Sequence, residues 1–303
     1  MEERISQLFV KHLKTTPLSA TSLLGGQVGN VFKVQTENKD YVIKFVEKHA
    51  DLPFETESLD DRVYGSRWSN LIPTYEFLKK NGIATPNLYT SGTLEKEKLN
   101  YGIFDYLAGD DPDYSTEYFS VLGHHMSVIH ALTRSYQGWV SMKTPYQTNW
   151  AEAFEESIRS QFQQSKQFLE TKLADTVLTY INEQAPKLKS PTNFVLSHTD
   201  GIQAVFKKEA DTWHLQGVID VEDYQFTDQR FVLSGVELTN TLQEHTLPES
   251  FWEAYKTKMH VDETYDDFKT LFQIFYLLVW IRVLQGQDAL VTKNIERLEQ
   301  LVY

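Results

Sequence analysis

A break at residues 108–112 divides the sequence into two parts whose apolar residues follow different periods. Before the break, short apolar runs alternate as in strands, and two of them flank the turn-forming residues 37–40, which predicts a β-hairpin. The break itself reads Ala-Gly-Asp-Asp-Pro, a composition typical of a boundary. Beyond it the apolar residues recur mainly at helical spacing. We therefore expect an α+β chain with a small β-rich N-terminal lobe, residues 1–107, and a larger helical lobe, residues 108–303.

The same patterns place individual elements. A short amphipathic helix is predicted over residues 1–20, and a second helix over Leu71–Lys80, which Gly82 ends. Residues 47–66 are polar and mixed, and are expected to form a loop. Strands are predicted at 28–35, 41–46, 88–92 and 101–107, helices at 118–132, 150–169, 173–181 and from 251 onward, and a short β insert at 194–197, 204–206 and 214–220.

Net charge and cysteine content exclude several classes of partner and site. The 303 residues carry a formal net charge of −13, which repels nucleic-acid phosphates and anionic membranes, so neither is expected as a main partner. A cationic small molecule would be attracted, although solubility alone would account for the same charge. The absence of cysteine excludes disulfides and thiolate metal sites.

No segment has the pattern of a secretory signal or a membrane span. The N-terminal residues lack an apolar core followed by a small-residue cleavage site. The most apolar stretch, Leu271–Leu284, is interrupted by Gln273 and Arg282 and is shorter than the roughly 20 residues that a spanning helix needs. A cytoplasmic protein is therefore expected.

Two aspartates in the β insert have the spacing and context of a phosphate-transfer site. Asp200 follows a predicted strand in the triplet His-x-Asp, and Asp220 ends another strand in Val-Ile-Asp. A hairpin between them would bring both carboxylates to the same end of a small sheet. Asp200 would then be placed to accept a proton from a hydroxyl, and hard oxygen ligands at this spacing suit Mg²⁺. Two ordinary turn aspartates would have the same pattern.

The N-terminal lobe carries a separate signal for phosphate binding. Gly25, Gly26 and Gly29 precede the predicted hairpin, and glycines at such a turn let backbone amides approach a phosphate. Lys44 lies in the strand that follows and should face away from Ile43 and Phe45. On a covered strand this lysine would need an anion, whereas on an edge strand it would face solvent.

These motifs occur in the order found in a known group of enzymes. The sequence resembles the aminoglycoside phosphotransferase and choline kinase group of the protein-kinase-like fold from about residue 22 to about residue 235. The resemblance depends on the whole series, which is a glycine turn, Val-Ile-Lys at 42–44, Gly-Ile-x-x-Pro at 82–86, Phe-Asp-Tyr-Leu-x-Gly at 104–109, Leu-Gly-x-x-Met-x-x-Ile-His-x-Leu at 122–132, His-x-Asp at 198–200 and Val-Ile-Asp-x-Glu-Asp at 218–223.

The resemblance implies a role for each matching residue. Asp200 would be the catalytic base, Asp220 would bind Mg²⁺, and Lys44 would hold the α- and β-phosphates of the nucleotide. The three glycines would lie over the phosphates. The backbone of Asp105 to Leu107 would form the hinge that touches the adenine.

Three further residues match structural positions of the group. His198 would brace the catalytic loop, and Asp228 resembles the aspartate of the family's Gly-Asp-Pro motif. His130 resembles a histidine of the helix in the C-terminal lobe, and is expected to be a packed side chain and not a catalyst.

Two departures from the family pattern affect the site. The family has an asparagine five residues after the catalytic aspartate as a second metal ligand, but here Val205 stands at that position. If the loop is two residues shorter, Gln203 takes the ligand position. The glutamate that should pair with Lys44 is not evident either. Glu76 lies on the wrong face of its helix, and Glu57 and Asp61 fit only if their segment folds differently, so the partner stays unassigned.

The sequence thus predicts a small-molecule kinase. It would transfer the γ-phosphate of ATP or GTP, with Mg²⁺, to a hydroxyl of a small acceptor that carries an amine. The alternative is a nucleotide-binding protein with a regulatory role and weak or no catalysis. A protein kinase is disfavoured, because no Asp-Phe-Gly is followed by a segment ending in Ala-Pro-Glu.

An acceptor pocket is expected beside Asp200, where acidic and aromatic side chains would suit an amine. Packing of the aromatic residues in the core is the favoured reading for Phe272, Phe275 and Trp280. The candidate lining residues are Glu152, Glu155, Glu156, Glu222, Asp223, Tyr224, Trp252, Tyr276 and Trp280.

Overall fold

The fold is that of a computed structural model, which describes residues 1–23, 29–47, 62–64, 67–146, 148–201 and 203–303. It is an α+β structure with a β-rich N-terminal region and a helical C-terminal part, as the sequence predicts. Most of the predicted loop at 47–66 lies outside the described residues.

The N-terminal region is a five-stranded antiparallel sheet. Its central strands bury Ile43, Phe45 and Ile103, and helix α1 covers this face with Leu8 and Phe9. The predicted hairpin is confirmed as β2 and β3, which pair over their full length. The sheet order is β1-β2-β3-β5-β4, and the elements are α1 Glu2–Leu13, β1 Ser19–Ser22, β2 Gly29–Gln35, β3 Asp40–Glu47, β4 Leu88–Leu94 and β5 Leu99–Asp105.

Helix α2, Leu71–Lys80, joins β3 to β4 and has the bounds that the sequence predicts. It ends where Gly82 takes the left-handed conformation, with φ of 73°. Leu71 and Leu78 are buried in the main core, and the Tyr75 hydroxyl accepts a hydrogen bond from the Leu88 amide of β4, so α2 contacts both regions. The first helix ends earlier than predicted, because Lys14 takes a left-handed conformation after Leu13.

The helical part is organised around one buried helix, α8. Its residues Leu271–Leu278 are all buried, which explains why the sequence shows a continuous apolar run and no one-sided stripe. The helices are α3 Thr116–His130, α4 Trp150–Ser165, α5 Thr171–Gln184, α6 Gln229–Leu242, α7 Glu249–Lys256, α8 Tyr265–Val283 and α9 Asp288–Val302. Among the described helices, none is long and apolar enough to cross a membrane.

The predicted β insert is confirmed as two small sheets. A hairpin of β9, Ala204–Glu209, and β10, Thr212–Val218, lies between the two aspartates of interest. The other sheet has the order β6-β8-β11-β7. Its strands are β6 Thr133–Arg134, β7 Gly138–Trp139, β8 Phe194–His198 and β11 Tyr224–Thr227.

Candidate active site

A cavity of about 750 Å³ lies between the N-terminal sheet and the β9–β10 hairpin. The sheet side includes Val31, Val42 and Lys44, and the opposite side includes Ile219 and Asp220. Apolar walls with a few charged groups are typical of a site for a small molecule.

Lys44 lies at the charged end of this cavity because of the alternation of β3. Its neighbours Ile43 and Phe45 are buried in the small core under α1, so Lys44 faces the other way. Its Nζ lies 2.8 Å from Asp220 Oδ1 and 2.6 Å from Glu222 Oε1. Burial alone would lower the pKa of Lys44, but Glu222 and Asp220 outweigh it and raise that pKa. The lysine is therefore held as a cation.

Among the described residues, Glu222 pairs with Lys44, a contact that the sequence did not indicate. Glu76 is exposed on α2 and makes no contact with Lys44, while Glu57 and Asp61 lie outside the described residues. Glu222 was expected in the acceptor pocket, yet it is only 3% exposed and paired with the lysine. The only indication of this pairing in the sequence is that an acidic residue stands two positions after Asp220.

The backbone at Asp220 explains how two acids of one short segment reach the same amine. Asp220 takes a left-handed conformation, with φ of 51° and ψ of 43°, and opens the short 3₁₀ turn Val221–Asp223. The buried Asn70, which precedes α2, holds this turn by donating to the carbonyl oxygens of Glu222, at 3.2 Å, and Tyr224, at 2.9 Å. Burial raises the pKa of Glu222, and the charge of Lys44 opposes that rise.

Asp200 follows β8 at the same end of the hairpin as Asp220, as the sequence predicts. The two ends are joined where the Ile219 amide donates to the Gln203 carbonyl at 2.8 Å. The Asp200 amide donates to His198 Nδ1 at 3.0 Å, and the Asp200 carboxylate accepts a hydrogen bond from the Tyr64 hydroxyl. Tyr64 belongs to the predicted loop at 47–66, where no sequence pattern marked it.

His198 lies between the loop that carries Asp200 and the turn that carries Asp223. It is 3% exposed, and its Nε2 lies 3.7 Å from Asp223 Oδ2. Burial would lower the pKa of this imidazole, but Asp223, together with Asp200 and Asp220, reverses the effect and raises the pKa. The histidine thus links the segments that carry the two aspartates.

Gln203 and Val205 both line the cavity beside Asp220. Val205 pairs with Gly217 inside the hairpin, so a valine occupies the position where the resemblance leads one to expect asparagine. Gln203 is therefore the amide side chain that lines the cavity on the loop after Asp200, and its backbone carbonyl is bonded to the residue before Asp220. Its role as a metal ligand stays a prediction.

Asp105, Tyr106 and Leu107 also line the cavity, further along the chain from Gly102, which pairs with Lys44. The Asp105 carboxylate is engaged by Lys39 at 2.6 Å and by Asn87 at 2.6 Å. The Asp105 amide donates to the Asn87 carbonyl and the Tyr106 amide to that of Asp40, whereas the Leu107 amide has no acceptor among the described residues. This segment connects β5 to the helical part.

The predicted phosphate-covering glycines are described only in part. Gly25 and Gly26 lie outside the described residues. Gly29 begins β2 and is paired with Val46 of β3. Their contact with phosphate stays a prediction.

His130 and Asp228, both expected to be structural, are buried. Burial lowers the pKa of His130 to about 3, and its ring contacts the Tyr255 hydroxyl at 2.7 Å and the Ser197 hydroxyl at 3.2 Å. Asp228 caps α6 by accepting from the Arg230 amide, and also accepts from the Trp150 indole at 3.0 Å. Neither side chain lines the cavity.

The residues suggested for an acceptor pocket do not form one cluster. Phe272 and Phe275 are fully buried core residues, as favoured from the sequence, and Tyr224 and Tyr276 are buried as well. Trp252 lines a different cavity, of about 390 Å³, between α6, α7 and α8.

The donor set at Asp220 can be compared with what Mg²⁺ requires. In the part of the chain that the structure describes, no three His, Asp or Glu side chains lie together as a complete metal site. Mg²⁺ at a nucleotide needs only one or two carboxylates, because phosphate and water fill its other positions. Asp220, whose side chain is 38% exposed beside the buried Glu222, fits that requirement.

Comparison with known proteins identifies the family of this chain. The sequence matches the profile of the fructosamine kinase family over residues 1–300. The chain belongs to the fructosamine kinase family. It is thus a small-molecule kinase, a phosphotransferase that acts on hydroxyl groups. Among curated proteins, none matches the sequence.

Solved structures show the same fold for this fructosamine kinase family member. One is a candidate fructosamine-3-kinase of Haemophilus somnus 129PT, with a TM-score of 0.60 and 16% identity over 99% of this chain and 97% of that one. Another is a thermostable mutant of the aminoglycoside phosphotransferase APH(4)-Ia, with a TM-score of 0.67 and 13% identity over 98% of each chain. At these identities the likeness shows the fold alone.

Proposed function

We propose that this kinase transfers the γ-phosphate of ATP or GTP, with Mg²⁺, to a hydroxyl of a small acceptor that carries an amine. The observation that carries the proposal is the Lys44 amine held between Asp220 and Glu222, at the end of a 750 Å³ cavity and on the same end of the hairpin as Asp200. A fixed cation beside a carboxylate is the arrangement that positions nucleotide phosphates in such enzymes.

The nucleotide would lie across the cavity, with its base at Asp105–Leu107 and its phosphates at Lys44. The Leu107 amide is available to the base because it has no acceptor among the described residues. Gly25, Gly26 and Gly29 would cover the phosphates. In this proposal residues 1–107 form the nucleotide-binding lobe, and residues 108–303 carry the catalytic loop and the acceptor site.

Asp220 would hold Mg²⁺ with the help of the Gln203 side-chain oxygen, and the ion would neutralise phosphate charge. Asp200 would act on the acceptor. The acceptor hydroxyl oxygen forms a bond to the γ-phosphorus while the bond from that phosphorus to the β,γ-bridging oxygen breaks. The hydroxyl proton passes to Asp200, and the nucleoside diphosphate leaves.

An amine on the acceptor is supported by charge and by family. The chain has a net charge of −13, and Asp200, Asp220 and Asp223 lie in or beside the site. The family is that of fructosamine kinases, and APH(4)-Ia has been solved with AMP-PNP and hygromycin B. We therefore propose a fructosamine-type sugar amine as the first acceptor to test and an aminoglycoside as the second.

A second candidate function is nucleotide binding with weak or no transfer. The observation that favours it is Val205, which places an apolar side chain where the related kinases were expected to have a metal-ligating asparagine. Gln203 has a longer side chain and would give the metal a different geometry.

The two candidates are separated by binding and turnover measured on the same protein. A thermal-shift screen of ATP and GTP, each with and without Mg²⁺, should show stabilisation by a Mg-nucleotide. Release of the nucleoside diphosphate should then depend on a sugar amine. Asp200→Asn should abolish this release while leaving the thermal shift intact. Stabilisation without any acceptor-dependent release would favour the second candidate. No stabilisation by any Mg-nucleotide would exclude both.

A further inference from the structure

The Tyr64 hydroxyl donates a hydrogen bond to Asp200 Oδ1. Tyr64 does not belong to the catalytic loop, since it comes from the connection between β3 and α2 in the N-terminal region. An aspartate that accepts a proton from a substrate must present one oxygen at a fixed place, because proton transfer needs hydrogen-bond distance and direction. Tyr64 can therefore stay beside Asp200 only if its own segment is held against the helical part.

The backbone around Tyr64 is fastened to the helical part by several independent contacts. Val63 is fully buried in the main hydrophobic core. The Arg62 carbonyl accepts a hydrogen bond from the Gln137 side chain, and the Val63 carbonyl accepts one from the Gln225 side chain at 3.5 Å. The backbone on which Tyr64 lies is thus fixed to the helical part by contacts of its two preceding residues, independently of the Tyr64 side chain.

The Tyr64 ring is also fixed by the aromatic residues of α8. It packs edge-to-face against Phe275, with ring centroids 6.4 Å apart, and against Tyr276, at 5.8 Å. The Tyr276 hydroxyl in turn donates to the Thr199 carbonyl at 2.5 Å. One tyrosine therefore holds the loop backbone before Asp200, and the other holds the Asp200 carboxylate.

At neutral pH Tyr64 remains the donor and Asp200 the acceptor in this hydrogen bond. Burial, followed by the negative charge of Asp200, raises the pKa of Tyr64 well above its usual range, so the phenol keeps its proton and remains a donor. A carboxylate has two oxygens that accept hydrogen bonds. Oδ1 accepts from Tyr64, and Oδ2 has no hydrogen-bond partner among the described residues, so Oδ2 is the oxygen open to an acceptor hydroxyl.

We propose that Tyr64 is a positioning residue for the catalytic base, and that its hydrogen bond to Oδ1 turns the second oxygen of Asp200 toward the acceptor hydroxyl. The inference rests on the proposed function, in which Asp200 accepts that proton. It assigns a catalytic contribution to a segment of the N-terminal region for which the family resemblance implied none.

The main test is steady-state kinetics of Tyr64→Phe with ATP, Mg²⁺ and the sugar amine that the wild type phosphorylates. Phenylalanine keeps the ring packed against Phe275 and Tyr276 and removes only the hydroxyl. A hydrogen bond to a charged group corresponds to about ten- to a hundredfold in a rate or equilibrium constant. We expect kcat to fall within that range, while KM for nucleotide and acceptor changes less than about threefold, because no substrate contact is lost.

Tyr265→Phe is the matched control. Tyr265 is a buried tyrosine at the start of α8, and its hydroxyl donates to a carboxylate oxygen of Glu237 at 2.8 Å; neither residue lines the 750 Å³ cavity. This variant loses an equivalent hydrogen bond and should keep the kcat of the wild type. An equal loss of kcat in both variants would show a general structural effect and overturn the proposal.

A second measurement examines the contact without turnover. In a sample labelled with ¹³C at the tyrosine Cζ, the Tyr64 resonance is identified by its loss in Tyr64→Phe, and its chemical shift at pH 7 is compared between the wild type and Asp200→Asn. Because the Tyr64 hydroxyl donates to the Asp200 carboxylate, removal of that charge should shift the Cζ resonance. An unchanged resonance would show that the two groups do not interact, and the proposal would be wrong.

The kinetic result also separates this inference from the proposed function. If Tyr64→Phe lowers the acceptor KM and leaves kcat unchanged, Tyr64 competes with the acceptor and does not position the base. If wild-type turnover is present and kcat is the same in Tyr64→Phe, the inference alone is overturned. If the wild type transfers phosphate to no acceptor, the proposed function fails and this inference fails with it.

Discussion

Replacing Lys44 with methionine should destabilise the protein even when no nucleotide is bound. The Lys44 side chain is 14% exposed and lies between Asp220, whose side chain is 38% exposed, and Glu222, whose side chain is 4% exposed. Methionine keeps an apolar stem of similar length, so the change removes mainly the positive charge. The carboxylate that loses most is Glu222, because water cannot replace the ammonium group around it.

The expected size follows from the burial of the two acids. Removing one partner of a buried ion pair costs about 3–5 kcal/mol, because the remaining charge is left in a poorly solvated place. Asp220 can be hydrated and should add little. We therefore expect Lys44→Met to lower the free energy of unfolding by about 3 kcal/mol. The double variant Lys44→Met/Glu222→Gln, which leaves no buried charge there, should recover about 2 kcal/mol of that loss.

Urea unfolding at pH 7, without nucleotide or divalent cations, measures these differences for the wild type, both single variants and the double variant. Lys33→Met is a matched control on the adjacent strand, where Lys33 Nζ lies 2.8 Å from Asp40 Oδ2 but the two side chains are 34% and 30% exposed. It should cost less than about 1 kcal/mol. Additive effects of Lys44→Met and Glu222→Gln, or a Lys44→Met effect no larger than the control, would refute the reasoning.

Two further predictions concern the helical part. The pKa of His130 is lowered to about 3 by burial, so between that value and about 6.5 the unfolded chain binds more protons and stability falls with falling pH. At pH 5 the loss relative to pH 7 should be about 2 kcal/mol, and His130→Gln should remove most of this pH dependence in urea unfolding. Gly123→Ala should lower the free energy of unfolding by about 2 kcal/mol, because the added Cβ would lie 2.3 Å from the carbonyl oxygen of Phe251 and force α3 and α7 apart. The exposed neighbour His124 provides the control, and His124→Ala should have the melting temperature of the wild type. Equal melting temperatures for the wild type and Gly123→Ala would contradict the close contact.

The parts of the fold that the sequence predicted are those set by local pattern. Helix α2 has the predicted bounds, because its periodic residues are followed by Gly82, whose left-handed conformation ends the helix. The hairpin of β2 and β3 follows from alternation around a turn. Asp200 and Asp220 reach the same end of the β9–β10 hairpin because the segment between them is short and folds on itself.

The parts that could not be predicted depend on contacts between distant segments. Lys44 meets Asp220 across 176 residues, and its pairing with Glu222 requires the left-handed conformation of Asp220, which a non-glycine residue seldom adopts. Tyr64 reaches Asp200 across 136 residues from a segment with no periodic pattern. Neither contact has a local sequence signature, since each follows from the packing of the two regions.

The source of the Lys44 partner has a consequence for how this kinase could be regulated. In protein kinases the equivalent lysine pairs with a glutamate on a helix of the N-terminal lobe, and displacing that helix switches the enzyme off. Among the described residues, Lys44 pairs with Glu222, two residues after Asp220 in a turn that Asn70 holds in place. This ion pair joins the N-terminal sheet directly to the turn at Asp220. Separation of the sheet from that turn would break it, so the phosphate end of the site is assembled only while the two regions stay together.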